Sequence, residues 1–413
     1  MNRTRFPTMV RVRQRFKSRA IANPQQELSI ELCRHRALKT LKPGMQVAIA
    51  VGSRGMGDIV ALAATLVEDL KRRGADPFFF PAMGSQGGAT PEGQAAVLRE
   101  LGITEENTGA PIRSLASVVK IGATSGGQPI YCDEAAYQSD LIIVVNRIKP
   151  HTAFKANIES GLMKMMAVGL GKRESAQAIH SSPTGLAKAI LESARAVMRN
   201  APIGLGIGIV EDAFGSTARI AVLEPDEIEE TEKELLEEAK QMMPRIPFDL
   251  VDVLIVEEMG KDISGAGMDP NVIGMARRLT ECRESKPTID RILVLDLTKE
   301  SQGNAEGVGL ADVVTQRLVS KIDFRATYIN CITSGFLRGG MVPITADTDK
   351  EAIEIALSGY PADRVRVVRI ENTLKLEEMD VSESLLGEVR RQDDLTIIGK
   401  DFTLTFSDSS CLV

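Results

Sequence analysis

Short apolar runs alternate with stretches of helical periodicity through the first half of the chain. Residues 45–51 (MQVAIAV), 77–82 (PFFFPA) and 140–145 (DLIIVV) are apolar runs of strand length. Continuous apolar runs of this length are typical of strands buried on both faces of a parallel sheet. Residues 58–73 repeat their apolar positions with the period of an amphipathic helix, which Gly74 ends. The order strand, loop, helix predicts an α/β fold.

A glycine-rich or polar loop follows each of the three predicted strands. The loops read GSRGMGD at 52–58, GSQGGAT at 84–90 and NRIKPHTAF at 146–154. In open α/β sheets, ligands bind outside the carboxyl ends of the strands. We therefore expect the three loops to meet in one crevice.

A charge-rich segment divides the chain into two halves. Residues 226–247 have helical periodicity, which predicts a solvated connecting helix that Pro244 and Pro247 close. We predict two α/β domains, residues 1–246 and 247–413, with the cofactor and the substrate in a cleft between them.

The second half starts a new series of strands. Apolar runs at 251–258 and 291–297 predict buried strands, and the polar loop after the second run predicts a helix from about residue 310. Alternating residues at 396–406 predict a final strand or hairpin.

The glycines of GLGIGIV at 204–210 resemble a dinucleotide-binding fingerprint, which needs a helix directly after it. The residues that follow predict a hairpin turning at Gly215, so we do not expect a nucleotide site there.

Composition narrows the class of protein. The 413 residues are 43% hydrophobic and 26% charged, the balance of an ordinary globular protein, and the net charge of −6 argues against nucleic-acid binding. The basic amino-terminal segment has no apolar core and no apolar stretch is long enough for a membrane span, so we expect a cytoplasmic protein. The five cysteines are scattered without a CxxC pair, which disfavours a structural zinc or iron–sulfur site.

Histidine chemistry is restricted to three residues, His35, His151 and His180. His151 follows Pro150 in a loop directly after a predicted strand, a position typical of an active site. Lys164 lies in the apolar stretch LMKMMAVGLG. A lysine that loses its hydration there becomes a nucleophile, whereas one at the edge of an amphipathic helix extends its ammonium group into water; the pattern leaves both open.

These residues resemble the lactate-racemase family, and the resemblance extends over most of the chain. It implies a nickel-pincer nucleotide cofactor (pyridinium-3,5-bisthiocarboxylic acid mononucleotide nickel) that a lysine tethers through a thioamide. The tether matches Lys164, in a stretch that begins with Ser160 and Gly161, which we assign to cofactor binding. The nickel ligand matches His180, and the catalytic histidine of a Pro-His pair matches His151.

The resemblance also implies two basic residues that hold the substrate carboxylate. Arg54 matches an arginine in the loop after the first strand, and Lys261 matches a lysine early in the second domain. A guanidinium suits a bidentate carboxylate contact. The pattern around Arg54 also fits an ordinary surface arginine.

One position departs from the family pattern. Gln86 stands where the family has a second catalytic histidine, and glutamine cannot act as a general base. We keep Gln86 as a substrate-binding residue. Lys155 and Lys149 are the nearest groups that could replace the base, and we place Lys155 beside His151 as a catalytic residue.

We therefore predict a nickel-pincer-nucleotide-dependent racemase or epimerase of an unidentified 2-hydroxy acid. The alternatives are a non-racemising oxidoreductase of hydroxy acids and a ligand-binding homologue without catalysis. The resemblance implies cofactor-biosynthesis enzymes as partners. Assembly into a homo-oligomer is left open.

Overall fold

Strands and helices alternate through the computed structural model, which describes residues 6–84, 86–274, 286–407 and 409–412. The strands are β1 (Thr8–Gln14), β2 (Gln46–Val51), β3 (Asp76–Pro81), β4 (Val118–Ala123), β5 (Pro129–Asp133), β6 (Leu141–Arg147), β7 (Ile203–Glu211), β8 (Thr217–Leu223), β9 (Leu250–Met259), β10 (Thr288–Leu297), β11 (Val313–Thr315), β12 (Ile344–Ala346), β13 (Val367–Ile370), β14 (Glu378–Ser382), β15 (Leu395–Ile397) and β16 (Phe402–Thr403). The helices are α1 (Pro24–Leu32), α2 (Arg36–Lys39), α3 (Ile59–Arg72), α4 (Pro91–Glu100), α5 (Glu105–Thr108), α6 (Glu134–Tyr137), α7 (Leu162–Lys164), α8 (Lys172–His180), α9 (Leu186–Asn200), α10 (Ile228–Met242), α11 (Pro270–Ile273), α12 (Gln316–Ser320), α13 (Phe324–Ser334), α14 (Asp349–Ala356) and α15 (Leu386–Val389). The predicted α/β class is confirmed.

The chain divides into two compact units, and the division differs from the predicted one at the amino terminus. One unit is Ser18–Met243, and the other joins Pro244–Val413 to the segment that ends at Lys17. That segment contains β1, which pairs in antiparallel fashion with β14 and β15. β1 was predicted to belong to the domain of residues 1–246, but it belongs to the other unit. The reason is that its partner strands lie more than 360 residues further along the chain.

The sheet of the Ser18–Met243 unit has the strand order β3-β2-β6-β7-β8. β2 pairs in parallel with β3 and β6, so the carboxyl ends of these three predicted strands share one edge. Helix α3 covers the sheet with a stripe that includes Leu62, Leu66 and Leu70, all at most 2% exposed. Each such side chain contributes about 1.5–3 kcal/mol on burial, and this packing fixes the sheet edge that bears the loops.

The glycine-rich run at 204–210 is strand β7, which forms the predicted hairpin with β8. Its glycines allow close packing. A Cβ at Gly206 would lie 2.8 Å from Leu162 Cδ1, and one at Gly208 would lie 2.7 Å from Ile148 Cδ1. The glycines therefore let neighbouring elements pack close to the sheet, and a hairpin follows the run where a dinucleotide fingerprint would need a helix.

The other unit is built on one sheet with the order β12-β11-β10-β9-β13-β14-β1-β15, and β16 also pairs with β1. The predicted helix from about residue 310 is wrong in its start: β11 comes first, and α12 begins at Gln316. The segment 396–406 does not form a hairpin, because β15 and β16 each pair with β1. Among the described residues, no helix combines the length and the apolar character that crossing a membrane requires.

Candidate functional site

The loops after β2 and β6 converge on the segment that carries Lys164. A Cβ at Gly52, directly after β2, would lie 3.0 Å from Met165 Cε, next to the lysine in the chain. Asn146, near the end of β6, donates its Nδ2 hydrogen bond to the carbonyl of Gly161 at 2.8 Å. Two of the three predicted loops thus meet at the start of this segment.

The loop after β3 reaches the same segment further along. A Cβ at Gly169 would lie 2.6 Å from the carbonyl oxygen of Ala82, and one at Gly84 would lie 3.3 Å from Ala176 Cβ. His180 is four residues after Ala176 in α8, so it lies on the same side of that helix. The three loops and the segment 161–180 therefore meet at one sheet edge, as the strand pattern predicted.

This segment is not one regular helix. Three residues of α7 lead into a π-helical turn, Met165–Gly169, and α8 begins only after a break. Lys172, at the break, has a left-handed φ of 52° and is held by a buried ion pair to Asp133 at 2.8 Å. Local departures of this kind recur at functional sites. Here the break turns α8 towards the loop after β3.

A buried carboxyl from another helix caps the amino end of α7. Glu232 of α10 accepts a hydrogen bond from the N–H of Met163 at 2.9 Å and is 1% exposed. Burial raises its pKa to about 7, although the backbone hydrogen bonds of Met163 and Leu162 lower it. A Cβ at Gly161 would lie only 2.4 Å from Glu232 Oε1. The glycine is thus required so that this carboxyl can reach the end of the helix.

Lys164 and His151 are in direct contact. Lys164 Nζ lies 2.8 Å from His151 Nε2, and His151 Nδ1 accepts a hydrogen bond from the N–H of Ala153 at 2.9 Å. Since Nδ1 is an acceptor, we assign the proton of the neutral imidazole to Nε2. Nε2 then donates to Lys164, and only a neutral amine has the lone pair to accept.

Two further cations surround Lys164. The loss of hydration on burial is the largest cause that lowers the pKa of Lys164, followed by the charges of Arg54 and Lys149, and together they bring it to about 8. A lysine with a lowered pKa near two fixed cations is a candidate functional group. The same positive charge makes this part of the structure suited to an anionic ligand. Of the two possibilities for Lys164, the structure favours the nucleophile.

The loop that carries His151 is closed at its base. Lys149 and Ser160 exchange backbone hydrogen bonds of 2.9 and 3.2 Å. Inside the loop, the carboxylate of Glu159 accepts from the N–H of His151 at 2.7 Å and from that of Ala156 at 3.3 Å. Glu159 is 1% exposed. These contacts define the position of the histidine backbone.

Two other contacts hold this loop. The ring of Phe154 stacks on that of His151 with a centroid distance of 4.3 Å, and Lys240 of α10 lies 3.4 Å from the carboxylate of Glu159. Glu159 and Glu232 were missed in the sequence, and for Glu232 the reason is that α10, which carries it, was predicted as a solvated helix. One face of α10 is in fact buried. The periodic apolar residues in that acidic run were the signal that could have shown it.

The structure places most predicted residues in this unit. Ser160 and Gly161 contribute backbone atoms and close contacts, and Lys164 and His151 form a pair. The other predicted side chains of the unit are exposed at the loops and at the end of α8, and these are Arg54, Gln86, Lys155 and His180.

Lys261 belongs to the other unit, at the carboxyl end of β9. Its ammonium donates to Glu306 at 2.7 Å, and the carboxylate is 3% exposed. Lys261 was predicted to bind the substrate carboxylate, but in this structure its ammonium is paired with Glu306. Lys261 N–H also donates to Ser301 Oγ at 2.8 Å.

No group of three or more His, Cys, Asp or Glu side chains could hold a metal ion within the part of the chain that the structure describes. His180 was predicted to bind nickel as a single histidine, and a single residue is not a group of this kind.

Comparison with known proteins found a family model and a solved structure to which this chain is similar. Residues 18–189 match the family model of the lactate racemase N-terminal domain. The structure resembles that of the lactate racemase apoprotein from Thermoanaerobacterium thermosaccharolyticum, with a TM-score of 0.54 and 15% identity over 88% of this chain and 94% of that chain. At that identity the likeness shows a shared fold. No curated protein matches the sequence.

Proposed function

We propose that the chain is a racemase or epimerase of a 2-hydroxy acid that works with a nickel-pincer nucleotide, because residues 18–189 match the family model of the lactate racemase N-terminal domain. The proposal rests chiefly on the contact between Lys164 and His151 at 2.8 Å. It brings the predicted tether and the predicted acid/base residue together at the edge where three strand-end loops meet.

The residues around Lys164 fit such a group. A neutral amine is the form that can be acylated, and the nearby charges of Arg54 and Lys149 suit a ligand with phosphate and carboxylate groups. Lys164 would tether the cofactor and His180 would bind nickel through its imidazole, an ordinary nickel ligand. Ser160 and Gly161 would line the tether. When bound, the group would supply a position that takes up a hydride from the substrate carbon and gives it back.

The chain itself would bind the substrate and move its proton. Arg54 would bind the carboxylate of the hydroxy acid through its guanidinium. His151 Nε2, the ring nitrogen that faces Lys164, would exchange the proton of the substrate hydroxyl. Gln86 can donate or accept a hydrogen bond but cannot take a proton, so we propose Lys155 as the second proton carrier.

Intact-mass spectrometry tests the tether. The protein is coexpressed with the cofactor-making enzymes in nickel-replete medium, and we expect a mass increase on Lys164. Lys164→Ala should lose the increase, whereas Lys120→Ala, at an exposed strand position, should keep it. An unmodified wild-type protein under these conditions would contradict the proposal.

Inversion at the α-carbon tests the reaction, and because a returned hydride does not exchange with solvent, the inverted product should carry no deuterium at that carbon. The loaded protein is incubated in D₂O with a panel of single-enantiomer 2-hydroxy acids, and we expect inversion of at least one, seen by chiral chromatography. Oxidation to a keto acid without inversion would favour the oxidoreductase, consistent with Gln86 in place of a base. Binding without any turnover across the panel would favour the non-catalytic homologue.

A further inference from the structure

We propose that an exposed apolar surface on helix α13 and the residues after it is the interface of a symmetric homodimer, in which the same surface of a second copy covers it. Sixteen large apolar residues are exposed among the described residues, and eight of them lie in 324–344. We call these eight the α13 surface. All of them belong to the unit that contains Pro244–Val413.

Helix α13 exposes an apolar face where a surface helix ordinarily carries charged side chains. Thr327 and Cys331 are the buried residues of the helix and face the rest of the unit. Tyr328 and Ile332, one turn apart on the outer side, are 49% and 68% exposed. Arg325 is the only charged residue of α13. A helix with this pattern is normally covered on both sides, so the outer face requires a partner.

The residues after α13 extend this face and pack tightly against the helix. A Cβ at Gly340 would lie 3.1 Å from Cys331 Sγ and 3.4 Å from Tyr328 Cδ1. Leu337 and Met341, on either side of this contact, are 63% and 62% exposed. Their backbone is therefore held in place by the helix. A surface that is already formed loses little conformational entropy when a partner docks on it.

The area of the α13 surface is the area that a stable dimer buries. Its eight residues are between 38% and 68% exposed. With about 150–200 Å² for a residue of this size, they expose on the order of 800 Å² together. A specific protein complex buries about 800 Å² on each partner. A monomer rarely exposes a contiguous apolar patch of more than a few hundred Å².

The composition of residues 324–344 is that of an interface core. They include Arg325 and Arg338 but no lysine, aspartate or glutamate, although the chain has 56 acidic residues. Interface cores are enriched in aromatic residues, methionine and arginine, and depleted of lysine and acidic residues. A helix that binds membranes carries many lysines or arginines instead. The exposed Asp323 and Asp347 at the two ends of the segment would be repelled by an anionic bilayer.

The strand at the end of this surface is poorly suited to pairing with an added strand. β12 is the last strand in the order of its sheet and has only three residues. Pro343 precedes it and has no N–H, and its carbonyl accepts a hydrogen bond from the hydroxyl of Thr345 at 3.2 Å. Short edge strands flanked by proline resist strand addition. The partner therefore packs side chains on the α13 surface, as a second α13 would, and is not an extended peptide.

The distribution of the other exposed apolar residues favours twofold symmetry. They are spread along the described chain from residue 30 to residue 398, and no other stretch as long as 324–344 contains more than two of them. A head-to-tail assembly needs a second, complementary patch on the same chain. A twofold dimer needs one patch that meets itself.

Sedimentation equilibrium of the purified full chain tests the dimer. At about 100 μM, above the micromolar Kd of the weaker interfaces of this size, we expect wild type to have twice the 44.7 kDa mass of one chain. Ile332→Glu places a charge in the interface once per copy, so we expect the Kd of the dimer to rise about tenfold per copy and about 100-fold in total. Leu374→Glu, at a 53% exposed position of the same unit outside the α13 surface, is the matched control and should keep the wild-type Kd.

Circular dichroism melting reports whether both variants are folded, and we expect no change because both side chains are exposed. A wild-type monomer at this concentration would overturn the proposal. A dimer that a folded Ile332→Glu variant leaves intact would place the interface elsewhere and would also overturn it.

Cross-linking tests the twofold symmetry. Tyr328→Cys, Ile332→Cys and Leu337→Cys are each treated with a short bis-maleimide, and we expect cross-linked dimers above the wild-type level, because a twofold axis through the α13 surface brings equivalent residues together. Leu374→Cys should show only the wild-type level. The absence of a cross-link in all three variants would overturn the symmetric arrangement.

Flotation with vesicles of phosphatidylcholine and phosphatidylglycerol tests the membrane as the alternative partner. We expect wild type to stay unbound. A monomer that floats with the vesicles, and that Ile332→Glu releases, would assign the α13 surface to a membrane and overturn the dimer.

Discussion

Replacing the buried carboxyl of Glu232 should change how stability depends on pH. Burial raises the pKa of this group from 4.5 to about 7. Below pH 4.5 it is protonated in both the folded and the unfolded chain. As the pH rises from 4.5 to 7, the unfolded chain releases the proton and the folded chain keeps it, so the wild-type protein loses stability over this window. The shift of about 2.5 pKa units corresponds to about 3 kcal/mol.

Glu232→Gln keeps an oxygen acceptor for the N–H of Met163 but does not titrate. We expect the variant to gain about 3 kcal/mol relative to wild type between pH 4.5 and pH 7.5. Urea unfolding followed by far-UV circular dichroism measures this, since the chain has no tryptophan. Glu234→Gln, an exposed position on the same helix, is the matched control and should follow wild type. If the difference between Glu232→Gln and wild type stays constant with pH, the reasoning about burial is refuted.

Three further substitutions test contacts of the site. Gly161→Ala places a Cβ 2.4 Å from Glu232 Oε1, so we expect the free energy of unfolding in urea to fall by about 1–3 kcal/mol. An unchanged unfolding midpoint would show that the end of α7 can move to accommodate the methyl group. Asp133→Asn leaves the ammonium of Lys172 buried without its charge partner, and we expect a loss of about 3–5 kcal/mol, whereas a loss below 1 kcal/mol would mean that water reaches the pair. Arg54→Gln removes one of the two charges that lower the pKa of Lys164, so the pH midpoint for acetylation of Lys164 by N-hydroxysuccinimidyl acetate should rise above 8; no rise would leave burial and the charge of Lys149 as the causes.

The sequence predicted the strands of the candidate site closely. β2, β3 and β6 begin and end within two residues of the predicted apolar runs, because strands buried on both faces need apolar residues at every position. Their shared edge followed from the general rule for open sheets. β11, with three residues, is too short for a periodicity to show, and the helix after it was therefore predicted too early.

The contacts that decide the chemistry were less accessible to prediction. Apolar neighbours in the sequence left two states open for Lys164. Groups from other parts of the chain distinguish them: the burial of the amine, the nearby charges of Arg54 and Lys149, and the ring of His151. Glu232 is one acidic residue among many in α10, and its burial depends on the packing of that helix against the elements around Gly161. Local sequence patterns predict helices and strands. The residue that a side chain contacts from a distant part of the chain depends on how those helices and strands pack, which a short stretch of sequence does not show.

The position of β1 has a consequence for synthesis. Arg11 on this strand pairs with Asp380, 369 residues later. At about 5–20 residues per second, a ribosome needs tens of seconds to reach that partner. The unit Ser18–Met243 has all of its strands long before then, while β1 is still unpaired along its edges. The segment before Ser18 and the residues after Met243 thus form one folding unit, and a deletion of β1 would act on the stability of a sheet whose other strands lie more than 200 residues later.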